Sequence, residues 1–500
     1  MRAAALAGRT ASGANSAAVE YESIIGLEVH CQLLTASKIF CGCSAAFGEA
    51  PNSHTCPVCL GLPGVLPVLN EKALEYALKV ALACHCRINL ESRFARKNYF
   101  YPDLPKGYQI SQYELPLAED GYLELKIGDQ RRRIGLVRIH LEEDAGKSIH
   151  DGLPGTDRYS YVDFNRTGVP LIEIVSQPDL RAPADATDFL TQLKAVVQYL
   201  GVCDGNMEEG SLRCDANVSV RPAGHPELLP KTEVKNLNSF RHVHKALEYE
   251  IERQIQLLET GGRLVQETRL WDSAAKATQP MRSKEQAHDY RYFPEPDLPP
   301  MVISAERLEQ IRAALPELAE QRAARLARQY GLPEYDAGVL TLSRSLADYY
   351  EAVVAAGAEP KLASNWVMGE LLRVVKAERA DQGEFPVPAA ELAALVKMVQ
   401  SRALSAANAK EVFALMVARA QGAAQLVEEL GVAAIRDRGP VEAAVAQVIA
   451  AHPGPVAQVR GGKTATLGFL IGQVMKATRG QADPQVVREV LQEALDREPE

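Results

Sequence analysis

The sequence predicts an α+β protein, with an antiparallel sheet in its first part and an all-α region after it. From Tyr21 to about Pro300, short β-type runs alternate with Gly, Pro, Asn and Asp, and two helical stretches, Glu71–Ala83 and Asp185–Leu200, interrupt them. After Met301, Ala, Leu, Glu and Arg recur at helical spacing. These observations separate a mixed half from a helical half.

The length predicts several domains. Single hydrophobic cores stop growing at about 250 to 300 residues, and this chain has 500. We expect a flexible extension over 1–20, a mixed domain over 21–305, a helical domain over 306–425 and a small helical tail domain over 426–500. The Pro-rich stretch Phe293–Pro300 lies at the first boundary.

Within the helical half, the spacing of apolar residues predicts helices over Leu308–Tyr330 and Ala389–Gln400. The composition, 47% hydrophobic and 24% charged, is that of a soluble globular protein. A formal net charge of -9 excludes a protein that coats nucleic acid indiscriminately, so any RNA contact is expected to be local. Nine cysteines, four of them in close pairs, fit a reducing cytoplasm better than a disulfide framework.

Three predicted strands carry polar or ionisable side chains on one face. Alternate residues of a strand point to opposite sides of a sheet. The faces are Glu28, His30 and Gln32 of Ile25–Leu33; Arg138, His140 and Glu142 of Leu136–Glu142; and Arg213, Asp215, Asn217 and Ser219 of Leu212–Arg221. A solvated outer face of an antiparallel sheet is the alternative to a functional site.

Glu173 adds a carboxylate between apolar neighbours in Pro170–Val175. An unpaired charge there is costly to bury, so Glu173 needs a cation or a proton. Carboxylates and an imidazole from different strands can hold Mg²⁺, which takes few protein ligands beside substrate phosphates. Structural salt bridging is the competing explanation.

Any use of ATP has to proceed without a P-loop. Gly146-Lys147-Ser148 resembles the end of a Walker motif, but Leu141 occupies the required upstream glycine position. Phosphates would then be met by a metal and by scattered Arg and Lys. Lys147, Arg213 and Lys235 are the candidates for this role.

Four cysteines have the spacing of a structural zinc site. Cys41 and Cys43 form C-x-C, and Cys56 and Cys59 form C-x2-C twelve residues later. Four sulfur ligands leave no position for substrate, so the zinc would be structural. Four ordinary cysteines are the alternative.

Long strings of this sequence resemble the family of B subunits of the bacterial-type aspartyl/glutamyl-tRNA(Asn/Gln) amidotransferase. They occur in order over nearly the whole chain after Glu20. The strings are Ile25–His30, Arg96–Asp103, Lys106–Gln112, Leu141–Lys147, Asp163–Arg166, Leu171–Val175, Met207–Asp215, Lys235–Ser239, Asp289–Asp297 and Gly468–Lys476.

The resemblance implies a cradle-like catalytic domain that uses ATP to phosphorylate the side-chain carboxylate of Glu or Asp esterified to tRNA. Ammonia, supplied by a partner amidase subunit, then displaces the phosphate to give Gln-tRNA(Gln) or Asn-tRNA(Asn). A small C subunit stabilises the pair. The implied activity is that of a carbon-nitrogen ligase with glutamine as amido donor.

The resemblance also assigns the candidate site residues. It places a magnesium site on His30, Glu142 and Glu173, and the tail of the chain against the outer corner of the tRNA. The further candidates for the pocket are Glu28, Arg213, Asp215, Glu233 and Lys235. Those for tRNA contact are Arg460, Lys463, Lys476 and Arg479, in a segment without acids between Ala451 and Gly480; a solvated basic helix face is the alternative.

Two other functions remain open from the sequence. The chain could be a zinc-stabilised tRNA-binding adaptor whose acidic faces are structural, with catalysis in its partner. It could also be a free-standing ATP-dependent ligase for small acids, which predicts activity without tRNA. ATP turnover that depends on metal and on misacylated tRNA separates these hypotheses.

Overall fold

The computed structural model describes residues 19–127, 130–281, 290–375, 383–433, 438–461, 463, 465–478 and 480–496. The chain forms two compact units, Met1–Pro316 and Glu317–Glu500. The first unit ends later than the predicted limit at 305. The predicted extension over 1–20 lies almost entirely outside the described residues.

A mixed, mostly antiparallel sheet of nine strands forms the centre of the first unit. Its order is β14-β13-β12-β11-β1-β10-β7-β6-β2, and only the β12–β13 pair among the paired strands described is parallel. The strands are β1 Tyr21–Gln32, β2 Arg87–Ile88, β6 Ala118–Ile127, β7 Gln130–Glu143, β10 Pro170–Ser176, β11 Leu212–Pro222, β12 Thr232–Lys235, β13 Glu267–Asp272 and β14 Ala277–Pro280.

The three strands predicted from alternation are present and longer than predicted. In β1, Leu27, Val29 and Cys31 are completely buried, whereas His30 and Gln32 are partly exposed. This alternation makes one sheet face apolar and the other polar, as period-two geometry requires. The apolar face forms the core of the unit.

Three long helices of this unit pack on the sheet. They are α1 Glu71–Ala83, which contacts β7; α2 Pro183–Tyr199, which contacts β6; and α3 Phe240–Glu259, which contacts β11 and β14. Asn70 caps α1 by accepting hydrogen bonds from the first-turn amides, and Ser239 does the same for α3. Predicted α1 is confirmed with its bounds, and α2 begins two residues before the predicted Asp185 because Pro183 favours the first helical turn.

The described residues of the first unit also form three small sheets and one further helix. The sheet β15-β4-β5 matters for the site, because β5 packs on β7. The elements are β3 Glu91–Ser92, β4 Ala95–Asn98, β5 Tyr108–Ser111, β8 Lys147–Ile149, β9 Tyr161–Asp163, β15 Phe293–Pro294, β16 Met301–Val302 and α4 Ala305–Ala313. Strands β3 and β16 pair, as do β8 and β9.

The second unit is helical over its described residues, as predicted. Its helices are Ala319–Tyr330, Glu334–Leu340, Arg344–Ala355, Pro360–Trp366, a π-helical turn Val367–Leu371 followed by Leu372–Val374, Ala389–Gln400, Ala406–Arg419, Ala423–Leu430, Arg438–Ala451, Pro453–Arg460, Ala465–Ala477 and Pro484–Asp496. One hydrophobic cluster runs from Leu326 to Val427 and a second from Val441 to Leu495. The limits 306–425 and 426–500 remain predictions.

One predicted helix is wrong as a continuous element. The structure replaces Leu308–Tyr330 by two helices, the first ending at Ala313 and the second beginning at Ala319. Pro316 lies in the break; proline lacks an amide proton, and its ring disfavours a helical residue before it. The predicted helix Ala389–Gln400 is confirmed with its bounds. Among the described residues, no helix is long and apolar enough to cross a membrane.

Candidate active site

A row of four ionisable side chains crosses four adjacent strands on the polar face of the large sheet. His140 of β7 lies opposite Glu173 of β10, Glu173 lies opposite His30 of β1, and His30 lies opposite Arg213 of β11. Residues in register share a face, so these side chains are neighbours. Glu142 follows His140 by two residues and therefore joins the same face.

The two histidines lie on either side of the two carboxylates. His30 Nε2 lies 3.4 Å from Glu142 Oε1 and 3.6 Å from Glu173 Oε2. His140 Nε2 lies 3.3 Å from Glu173 Oε2 and 3.6 Å from Glu142 Oε2. The structure thus brings together His30, Glu142 and Glu173, as predicted, and adds His140.

Burial and charge act in opposite directions in this cluster. Burial alone lowers the pKa of His30, but the hydrogen bond and charge of Glu173, with the charge of Glu142, raise it to about 9. Burial raises the pKa of Glu173, yet the charge of His140 and the bonds to both histidines hold it well below its usual range. Each charge is therefore stabilised by the opposite charges beside it.

The donor set fits a divalent cation. One ligand atom each of His30, Glu142 and Glu173 lies within 4.8 Å of the others. Adjacent ligands of an octahedral Mg²⁺ are about 3 Å apart and opposite ligands about 4.2 Å apart. The distances from His30 Nε2 to the oxygens of Glu142 and Glu173, 3.4 Å and 3.6 Å, lie between these values. The Nδ1 atom of His140 is buried and makes no hydrogen bond within the part of the chain that is described. Two buried carboxylates with one imidazole are the donors that the sequence led us to expect.

Arg213 continues the row toward a third carboxylate. Its guanidinium donates to Asp144 Oδ2 at 2.9 Å, and the amide of Gln32 donates to the same oxygen at 2.8 Å. Asp144 is 3% exposed, and Arg166 Nε lies 3.6 Å from it. Arg213 is held in place by this carboxylate, so its cation belongs to the site rather than to bulk solvent.

The remaining predicted pocket residues lie on the same face. Glu28 of β1 is opposite Asp215 of β11 and accepts a hydrogen bond from Asn217 at 2.9 Å. Lys235 of β12 lies 2.6 Å from Asp215 and 3.4 Å from Glu233. Burial alone lowers the pKa of Lys235, but the charges of these two carboxylates raise it. A second cation is thereby fixed beside the row.

Other predicted residues lie on other elements of the chain. Lys147 is exposed on β8, in a different sheet, and it makes no hydrogen bond or ion pair with the cluster among the described residues. Arg460, Lys463 and Lys476 are exposed in the second unit. Arg479 lies outside the described residues.

The small sheet β15-β4-β5 brings residues that the sequence reasoning did not select. Ser111 Oγ lies 3.3 Å from Glu142 Oε2, the amide of Ile110 donates to Glu143, and Lys106 pairs with Glu143. Lys97 of β4 is also near: burial lowers its pKa, but Tyr292, Glu142 and Glu173 raise it. The polar face of Leu136–Glu142 already contained His140, whereas nothing in the sequence placed β5 against β7.

The four paired cysteines also meet. One sulfur from each of Cys41, Cys43, Cys56 and Cys59 lies within 4.8 Å of the others, and Cys56 and Cys59 are 3.9 Å apart. Ligands 2.3 Å from a tetrahedral zinc are about 3.8 Å apart, so the arrangement fits zinc. Hydrogen bonding with Cys41 lowers the pKa of Cys59 to about 4, against its burial, and the nearby Lys38 cation acts in the same direction.

Lys38 is the buried cation of this cysteine cluster. Its side chain is completely buried, and Nζ donates to His54 O at 2.7 Å, to Phe164 O at 3.2 Å and to Cys59 Sγ at 3.7 Å. A tetrathiolate with one Zn²⁺ carries two net negative charges, so a buried cation beside it reduces the cost of burial.

Known families match both parts of the chain. The GatB/GatE catalytic domain matches residues 23–309, and the GatB domain matches residues 348–495. A relative from Carboxydothermus hydrogenoformans, named as the B subunit of an aspartyl/glutamyl-tRNA(Asn/Gln) amidotransferase, is 56% identical over 476 residues, covering 95% of this chain and 99% of the relative. Proteins of the same name from Thermodesulfovibrio yellowstonii and Moorella thermoacetica are 54% and 56% identical, again over 95% of this chain and at least 99% of each relative. The chain therefore belongs to the family defined by the GatB/GatE catalytic domain and the GatB domain.

Proposed function

We propose that this chain is the B subunit of a tRNA-dependent amidotransferase, a ligase that makes Gln-tRNA(Gln), Asn-tRNA(Asn) or both. It uses ATP to phosphorylate the side-chain carboxylate of Glu or Asp already esterified to tRNA. Ammonia then replaces the phosphate. The names of the relatives support this role within a complex.

The observation that carries the mechanism is the row on the polar sheet face. It combines a metal-type cluster, His30 with Glu142 and Glu173, and two fixed cations, Arg213 and Lys235. Phosphoryl transfer between two anions needs positive charge between them, and positioning with electrostatic stabilisation supplies most of its catalysis. A sheet face with these groups meets that need without a P-loop.

The reaction balances in two steps. A side-chain carboxylate oxygen of the substrate attacks the γ-phosphorus of ATP, the bond from that phosphorus to the bridging oxygen breaks, and ADP leaves. Ammonia then attacks the acyl carbon, a carbon-nitrogen bond forms, and the carbon-oxygen bond to phosphate breaks. A proton leaves the nitrogen, and the products are the amide and inorganic phosphate.

The chain's own residues have distinct roles in this scheme. His30, Glu142 and Glu173 would hold Mg²⁺, which when bound supplies positive charge to the phosphates. Arg213 and Lys235 bind the transferred phosphoryl group and the departing ADP. Glu28, Asp215 and Glu233 orient these cations through the contacts described above. Lys147, exposed on another sheet, has no place in this scheme.

The partner subunits supply what this chain needs. The relatives are named as parts of a larger enzyme, which supports a multi-subunit complex. An amidase subunit releases ammonia from glutamine, and a small C subunit stabilises the pair. Arg460, Lys463, Lys476 and Arg479 contact the tRNA, and the four paired cysteines hold a structural zinc. Thiols must stay reduced to bind zinc, which favours the cytoplasm as the site of action. In this proposal the first unit is the cradle-like catalytic domain.

The test is ATP hydrolysis by the complex of this chain with its amidase partner. Glu-tRNA(Gln), uncharged tRNA and free glutamate are offered in parallel, each with and without magnesium. Turnover stimulated only by the misacylated tRNA, and only with magnesium, supports the proposal. Equal turnover with all three, or none, favours the adaptor role or another substrate.

A further inference from the structure

Five tyrosines form a continuous aromatic surface on the small sheet and its flanks, here called the tyrosine wall. Its members are Tyr99, Tyr101, Tyr113, Tyr290 and Tyr292. Adjacent ring centroids are 6.1 Å apart for Tyr101 and Tyr99, 6.0 Å for Tyr99 and Tyr290, and 6.1 Å for Tyr290 and Tyr292. Tyr292 stacks on Tyr113 at 4.2 Å with the rings 7° from parallel.

The wall is accessible from solvent at both ends. Tyr101 is 66% exposed and Tyr113 is 39% exposed, while the three rings between them are half-buried. None of the five hydroxyls makes a hydrogen bond with any described residue, although tyrosine hydroxyls near the interior usually find a partner. Most of these rings meet edge to face, and the half-exposed faces that remain are surfaces on which a flat ligand can stack.

The tyrosine wall lies beside the metal-type cluster. Ser111, two residues before Tyr113, contacts Glu142 at 3.3 Å. Burial raises the pKa of Tyr292 to about 12; the Lys97 cation opposes this shift, and the charges of Glu142 and Glu173 add to it. The wall and the cluster therefore lie near each other, on the β7 side of the row.

A cation lies between the rings. Lys97 Nζ is 4.9 Å from the ring centroid of Tyr290 and 5.9 Å from that of Tyr99. Such contacts stabilise an ammonium group without neutralising it. Lys97 forms no ion pair with the described residues; the charges of Glu142 and Glu173 act on it, and it is placed to contact an anion at the wall as well.

We propose that the tyrosine wall stacks the terminal adenosine of the aminoacyl-tRNA, with Lys97 meeting the adjacent phosphate. The inference rests on the proposed function and deepens it. The carboxylate that is phosphorylated is joined through an ester to the ribose of that nucleotide. From the ester carbonyl to the side-chain carboxyl carbon of Glu is about 5 Å when extended, so the ribose of the terminal nucleotide must lie near Glu142 and Glu173, with its base beyond it.

The wall, rather than the opposite end of the row, is the place for this base. Arg213 and Lys235, on β11 and β12, are the cations that suit the phosphates of ATP, whereas the wall adjoins β7 at the other end of the row. Aromatic faces bind unstacked bases at the single-stranded ends of RNA. Two substrates can thus approach the carboxylate pair from its two sides.

The experiment measures KM in the intact amidotransferase complex for Tyr113→Leu and Tyr292→Leu, which keep an apolar side chain but remove the aromatic plane. Loss of one stacked base costs about 1 to 3 kcal/mol, so KM for Glu-tRNA(Gln) should rise roughly 5- to 150-fold. KM for ATP should not change. Tyr113→Phe, which keeps the ring, should stay close to the unsubstituted complex, and Tyr159→Leu is the matched exposed control.

A second readout separates stacking from misfolding. An uncharged acceptor minihelix ending in adenosine should inhibit the unsubstituted complex better than one ending in an abasic ribose, and Tyr113→Leu should abolish that difference. A rise in KM for ATP instead would assign the wall to ATP and overturn the inference, as would an unchanged KM for both substrates. Failure of the proposed function itself would appear differently, as no turnover stimulated by misacylated tRNA in the unsubstituted complex.

Discussion

Replacing Glu173 with glutamine removes one charge from the centre of the row without changing the volume of the side chain. Its Oε2 lies 3.3 Å from His140 and 3.6 Å from His30. With an effective dielectric constant of about 20, each contact between full charges is worth about 5 kcal/mol before desolvation is subtracted. In the proposed scheme Glu173 would hold Mg²⁺ with His30 and Glu142, and weakening a source of positive charge at the transition state typically slows turnover roughly 10²- to 10³-fold.

We therefore expect Glu173→Gln to reduce ATP turnover stimulated by Glu-tRNA(Gln) at least 100-fold in the assembled complex. The tRNA dissociation constant should change less than about twofold, because no tRNA contact is altered. Turnover is followed by release of inorganic phosphate, and binding by fluorescence anisotropy.

Glu22→Gln is the matched control, because Glu22 lies on β1 of the same sheet and forms a half-buried pair with Arg221 at 2.6 Å. Neither residue contacts the row, so this variant should keep normal turnover. Near-normal turnover in Glu173→Gln would refute the reasoning. Equal losses of turnover and tRNA binding would indicate misfolding.

Three further predictions concern the rest of the chain. Lys38→Met should lower zinc affinity about 10- to 100-fold in chelator competition, because losing a hydrogen bond to a metal ligand has an effect of this size. Unchanged affinity would exclude Lys38 as the counter-ion of Cys59. Glu250→Gln should lower the melting temperature by roughly 6 to 10 °C, because it leaves Arg253 without its completely buried partner. Burial raises the pKa of Glu250, but Arg253 and the other hydrogen bonds to Glu250 hold it below its usual range. The difference in melting temperature should therefore be present at neutral pH and disappear as pH falls through the folded-state pKa of Glu250. A difference that persists in acid would contradict a stabilising role for the Glu250 charge. Neutralising the basic tail should weaken tRNA binding and flatten its dependence on salt, and an unchanged salt slope would remove the tail from the tRNA site. The residues changed together in this last variant are Arg460, Lys463, Lys476 and Arg479.

The local elements were predictable because their signals are local. Helix Glu71–Ala83 has an apolar face and an Asn70 cap, and both are readable from the sequence. The helix predicted over Leu308–Tyr330 failed where Pro316 interrupts an otherwise periodic pattern. The composition favoured one continuous helix there, but Pro316 lacks an amide proton and therefore interrupts the helical hydrogen bonds.

The site was predictable only in part, because a polar strand face does not reveal its neighbours. Period-two geometry put His30 and Glu142 on polar faces, but the order β11-β1-β10-β7 alone makes them adjacent. His140 was visible on its strand, yet its contact with Glu173 depends on the β7–β10 register. Lys147 was a candidate at the end of an incomplete Walker-like motif, and the topology places it on another sheet.

The tyrosine wall could not be found from sequence spacing. Tyr113 and Tyr292 are distant in the chain and meet only because β15 pairs with β4, which in turn pairs with β5. Contacts across so many residues depend on the complete fold and leave no local pattern.

The central claim is that this chain activates the carboxylate by phosphorylating it, and an isotope label follows that step directly. Glu-tRNA(Gln) carrying ¹⁸O in both side-chain carboxylate oxygens is converted by the complex with ATP and glutamine, and the phosphate released is analysed by mass spectrometry. The account predicts one ¹⁸O atom in each phosphate, because the carbon-oxygen bond to phosphate breaks when ammonia enters. Unlabelled phosphate during full conversion to Gln-tRNA(Gln) would contradict it.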